Sequence, residues 1–156
     1  MIYIFYANGN SGATETDFWQ YDFGDSKWTD YSATLPDESE GNTLGNDPFA
    51  IQGGYDLVVS VKPEDENYVV IGETNTYKIA NITTDSEFER IGDYNSNANY
   101  SLYEMGGDTH YPDIHSLVFD PNNENVLFSG TDGGVHKTDN VTETTTIRHT
   151  NITRLP

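Results

Sequence analysis

The chain repeats itself. Lys62-Pro63-Glu64-Asp65-Glu66-Asn67 precedes the run Tyr68-Val69-Val70-Ile71-Gly72, and Asp120-Pro121-Asn122-Asn123-Glu124-Asn125 precedes Val126-Leu127-Phe128-Ser129-Gly130. Pro63 and Pro121, Asn67 and Asn125, and Gly72 and Gly130 all stand 58 residues apart. Past that glycine the distance becomes 59, which matches Lys78, Asn81 and Thr83 to Lys137, Asn140 and Thr142. One residue is therefore added in the intervening loop. A unit of this length fits four short antiparallel strands and a long connecting loop, which is one propeller blade.

The rest of the pattern agrees. Apolar residues come in short runs separated by Gly, Asn, Asp and Pro, and no stretch keeps a 3.6-residue period. Strands are expected at 2–6, 18–21, 28–31, 56–61, 68–72, 76–79, 88–91, 114–119, 126–129, 135–137 and 145–149, which together are rich in Val, Ile, Tyr and Phe. The fold class expected is all-β: an incomplete β-propeller of about two and a half blades, spanning 1–36, 55–95 and 112–150. The first of these has three strands and lacks its innermost one. Closed propellers have roughly four to eight blades, so the remaining blades of a longer parent chain, or an associating partner, are expected to cover the open sides.

The two copies differ at one informative place. Asp56 to Pro63 spans one residue fewer than Asp113 to Pro121. One extra residue in a strand predicts a bulge near 113–115.

Charge narrows the partners. The 26 acidic residues outnumber 7 basic ones and leave a formal charge of -19. Such a surface repels nucleic-acid phosphates and anionic lipids, so neither is expected as a partner. No segment is long and apolar enough to insert in a membrane. Residues 1–12 have no basic start and only a short apolar run at 2–6, so no signal peptide is read there. The absence of cysteine removes disulfides and thiolate metal sites.

Two stretches carry a resemblance. The first is Gly54-Tyr55-Asp56-Leu57-Val58-Val59-Ser60-Val61-Lys62-Pro63 with Val69-Val70-Ile71-Gly72. The second is His115-Ser116-Leu117-Val118-Phe119-Asp120-Pro121 with Thr131-Asp132-Gly133-Gly134-Val135-His136-Lys137-Thr138. They resemble blade entries of large secreted bacterial propellers of the Asp-box superfamily, which includes sortilin-like receptors, sialidases and xyloglucan-cleaving hydrolases. The resemblance runs from Ile2 to about Thr145. It implies a secreted or cell-surface location and a carbohydrate or extracellular protein as partner. The nearest Asp-box turn, Asp22-Phe23-Gly24-Asp25-Ser26-Lys27-Trp28, is one residue longer before its Trp than the usual form.

The sharpest polar cluster is His110, Asp113 and His115, with Asp132 in the next turn of the same blade. Imidazole and carboxylate together bind ligands or metals and shuttle protons. The bland alternative is a hydrogen-bond network that ties a loop to the neighbouring blade. In a propeller the entry of an innermost strand and the turn between the second and third strands open on one face, so these residues are expected to converge as a ligand-binding site. Asp120, Asn122 and Glu124 carry oxygens suited to Ca2+, the one cofactor the residues suggest, although Asp-Pro-Asn-Asn is also ordinary turn chemistry.

Catalysis has weaker support. Close carboxylate pairs arise by chance in so acidic a chain. Sialidase chemistry needs an arginine cluster, and only Arg90, Arg148 and Arg154 exist. No Gly-x-Ser-x-Gly elbow occurs. Phe18, Trp19, Tyr21 and Trp28 suit either sugar stacking or packing between blades. The long polar loops at 37–54 and 92–113 read as binding loops. The expectation is a non-catalytic extracellular propeller piece that binds carbohydrate or protein through its loop face. The rival is part of a glycoside hydrolase with catalytic residues partly outside this chain.

Overall fold

A computed structural model describes residues 1–10, 15–36, 49, 51, 54–91 and 111–142, with the backbone of 148–149. These residues are all-β, with one 3-10 turn at Ser32–Thr34 and no α-helix among them. The strands are β1 (Ile2–Ala7), β2 (Thr16–Asp22), β3 (Lys27–Asp30), β4 (Val58–Val61), β5 (Val69–Gly72), β6 (Thr76–Ile79), β7 (Glu89–Arg90), β8 (Ile114–Asp120), β9 (Asn123–Thr131), β10 (Gly134–Thr138) and β11 (Arg148–His149). Each strand run expected from the sequence overlaps one of them. They form three antiparallel sheets in chain order, β1-β2-β3, β4-β5-β6-β7 and β8-β9-β10-β11. Three consecutive meanders, without a closed barrel, are the blades of a partial propeller.

The repeat holds bond by bond. Val58 faces Gly72 as Ser116 faces Gly130. Val69 faces Ile79 as Leu127 faces Thr138, and Tyr77 faces Arg90 as His136 faces His149. After the third strand, Ile82 donates its amide to Asn67 O at 3.0 Å and Val141 donates to Asn125 O at 2.8 Å. Asn81 Oδ1 accepts from the amide and hydroxyl of Thr83, and Asn140 Oδ1 does the same with Thr142. Such Asx turns pin the chain where it leaves the sheet.

Alternation sorts the two faces of the middle sheet. Val59, Val69, Ile71, Tyr77 and Ile79 pack with Phe18, Tyr3 and Phe5 of the first sheet. Val58, Tyr68 and Val70 pack with Ile114, Leu117, Phe119 and Leu127 of the third. The second junction also has polar bonds: Tyr68 Oη and Lys78 Nζ both donate to Val141 O, at 2.9 and 3.1 Å. Gly72 allows the close approach, because a Cβ there would meet Ile114 Cγ2 at 2.5 Å and Val58 Cγ1 at 2.7 Å. In the first sheet, β1 packs on β4 as β5 packs on β8. The strand β1 thus stands in the second position of its blade, and an innermost strand is absent from the described residues.

Candidate functional site

The site grows from the two places where a loop enters an innermost strand. Tyr55 and Asp56 lead into β4, and Asp113 leads into β8. Asp113 takes the left-handed conformation, φ +62, which Asp tolerates better than most residues. Its amide then reaches Thr74 O at 3.1 Å, and that of Ile114 reaches Glu73 O at 2.8 Å. The β8 entry is therefore tied to the β5–β6 turn of the preceding sheet. That turn is itself capped by the fully buried Glu73, whose carboxylate accepts the amides of Thr74 and Asn75.

The predicted bulge is present: the β8–β9 register shifts between Ile114 and Ser116. It leaves His115 and Ser116 both exposed in succession. His115 Nε2 lies 2.6 Å from Asp132 Oδ1 in the β9–β10 turn. Tyr111 covers that turn, because a Cβ on Gly133 would collide with its ring. Tyr55 completes the surface. Its ring stands edge-on to His115 with centroids 5.1 Å apart, its hydroxyl is 3.4 Å from His115 Nε2, and it is 63% exposed.

Beneath them lies Asp56, 2% exposed, whose two carboxylate oxygens receive no hydrogen bond from any other described residue. Burial pushes its carboxyl up to about 6. Its own main-chain amide opposes the shift, Asp113 adds to it, His115 opposes it, and Asp132 adds a little more. The Tyr55 phenol is likewise raised, by desolvation first and then by the charges of Asp132, Asp113 and Asp56. The arrangement sets an exposed ring and an imidazole among three carboxylates, of which that of Asp56 is buried. It presents hydrogen-bond acceptors and an exposed aromatic ring, with no Lys or Arg among the described residues there.

Of the four residues expected to converge, Asp113, His115 and Asp132 do so, and His110 lies outside the described residues. The residues expected to suit Ca2+ make the following contacts. Asp120 Oδ1 accepts from the amide and side chain of Asn122, and Glu124 Oε1 pairs with Lys62 Nζ at 2.6 Å. Glu124 thus reaches across to the preceding sheet, and no cluster of three or more metal-ligating His, Asp or Glu side chains occurs among the described residues. The aromatics of β2 and β3 divide between the two faces of their sheet. Phe18 is wholly buried at the first junction, while Trp19, Tyr21 and Trp28 point the other way. Most of the loops at 37–54 and 92–113 fall outside the described residues.

Tyr55 and Asp56 were not singled out by sequence reasoning. The signal was available: the one-residue difference between the copies aligns Asp56 with Asp113, so the sharpest acid of one blade has a twin in the other. Glu73 gave no such signal, because only the fold buries its turn.

No family model matches the chain, and no curated protein sequence matches it.

Proposed function

We propose that the protein is a non-catalytic binding module of an extracellular propeller, and that it holds a neutral carbohydrate at Tyr55, Asp113, His115 and Asp132. The observation that carries the reading is the exposed Tyr55 ring set against His115, which pairs with the Asp132 carboxylate. Sugar hydroxyls donate to carboxylates, and the apolar face of a pyranose rests on an aromatic side chain. The charge of -19, with no Lys or Arg among the described residues of the site, disfavours anionic sugars and phosphates. Titration calorimetry after a glycan-array screen tests it. Tyr55→Ala and Asp132→Asn should each weaken binding about tenfold, as expected for one lost contact of about 1.4 kcal/mol. Binding unchanged in both variants, or a protein ligand with no sugar bound, would refute it.

A second reading, part of a glycoside hydrolase, is favoured by one observation. Asp56 has its carboxyl raised to about 6, as general acids of glycosidases do. Hydrolysis of a β-glucan that disappears with Asp56→Asn, while binding persists, would select it over the first.

A further inference from the structure

We infer that two copies of this chain associate head to tail, the outer face of the β1–β3 sheet of one copy packing on the outer face of the β8–β11 sheet of the other.

The argument rests on the two junctions already present. Each joins two unlike sheet faces. One kind of face, on the middle sheet, carries Val58, Val70 and Tyr68 and receives the third sheet. The other kind carries Val69, Ile71, Tyr77 and Ile79 and receives the first. By the 58- and 59-residue correspondence, the third sheet buries its copy of the second kind against the middle sheet, through Leu127, His136 and Thr138. Its copy of the first kind, with Ser116, Val118, Phe128 and Lys137, is turned outward, and Val118 is 56% exposed. The first sheet shows the reverse. It buries Tyr3, Phe5 and Phe18 against the middle sheet. Strand alternation then places Ile2, Ile4, Tyr6, Trp19, Tyr21 and Trp28 together on its outer side, where Trp28 is 47% exposed.

The two outward faces are thus the two halves of a contact that the chain makes twice within itself. A sheet face on which Ile2, Ile4, Tyr6 and Trp28 are exposed together is a contiguous apolar patch of the kind that marks an interaction surface. Unlike faces give a heterologous contact, which closes to a ring when the rotation permits. Two copies with three sheets each fall within the roughly four to eight blades of closed propellers. The charge of -19 per chain works against association, so added salt should favour it by screening the repulsion.

Sedimentation velocity of the whole chain, in about 50 mM and about 500 mM salt, tests the inference. A dimer is expected, with its fraction rising with salt. Ile4→Asp breaks one face and Val118→Asp the other, and both positions are exposed, so circular dichroism should show both variants folded. Each variant alone should sediment as a monomer. An equimolar mixture should recover a dimer, because each supplies the face the other lacks. A wild-type chain that stays monomeric at both salt concentrations overturns the inference. So does a dimer lost in only one variant, which would mean like faces meet, and so does a mixture that fails to reassociate.

Discussion

The hydroxyl of Tyr68 in the second sheet donates to the carbonyl of Val141 beyond the third, 2.9 Å away and 73 residues on in the chain. Lys78 Nζ reaches the same oxygen at 3.1 Å. One carbonyl thus receives two donors from the neighbouring blade, and the apolar junction gains a polar pin. Tyr68→Phe keeps the ring in its pocket and leaves the carbonyl satisfied by Lys78. The expected loss is about 1 kcal/mol, the usual net worth of a hydrogen bond whose partner is not orphaned. Urea unfolding measures it, and a loss above about 3 kcal/mol would show that Lys78 does not keep the carbonyl paired.

Close approach at Gly72 makes a stronger demand. A methyl group there runs into both Ile114 and Val58. Both belong to stiff β-branched side chains, Val58 on the paired strand and Ile114 on the next sheet, so the strand pair and the junction must both shift. Gly72→Ala should destabilise the protein by about 2–3 kcal/mol through overpacking, visible as a lowered unfolding midpoint. A midpoint equal to that of the parent would mean that the junction yields freely.

Asp56 sets a pH dependence whose sign is determined. Its carboxyl is raised to about 6 in the folded protein, above the ordinary value of 3.8. The folded state therefore holds this proton more tightly than the unfolded state does. The resulting stability is complete below pH about 3.8 and is lost as pH rises through about 6. Asp56→Asn removes the charge without changing the shape. It should match the parent near pH 3.5 and exceed it above pH 6.5 by about 1–2 kcal/mol. Unfolding curves at the two pH values give the comparison, and a variant less stable than the parent at neutral pH would contradict it.

The His115–Asp132 pair is close but wet, with side chains 35% and 51% exposed. Pairs of that kind contribute about 0–1 kcal/mol. Asp132→Asn should change the unfolding free energy by no more than about 0.5 kcal/mol. A melting curve like the parent's lets any change in ligand affinity be assigned to the site itself. A drop of several kcal/mol would instead mark the pair as a strut between loop and sheet.

Strand positions were legible because their signals are local. Short runs bounded by turn residues, most of them carrying Val, Ile, Tyr or Phe, overlap the observed strands. The bulge at His115 was legible too, from a single extra residue between Asp113 and Pro121. Boundaries were less so. The run expected to begin at Asp56 enters its sheet only at Val58, and the two residues left outside, Asp56 and Leu57, include the buried acid of the candidate site. Alternation says which residues share a face, but not which neighbour that face meets. Nothing in the row Phe18-Trp19-Gln20-Tyr21 shows that Phe18 turns inward while Trp19 and Tyr21 turn out.

The sequence by itself determined the all-β class, the repeated four-stranded unit and the strand pairing within it, because hydrogen-bond register and turn chemistry depend on neighbours along the chain. Only the tertiary structure decided that Glu124 reaches Lys62, that Asp56 is buried, and which faces remain open. Those outcomes depend on how one sheet leans on the next. Burial and charge between residues some sixty positions apart are set by that packing, and no local pattern encodes it.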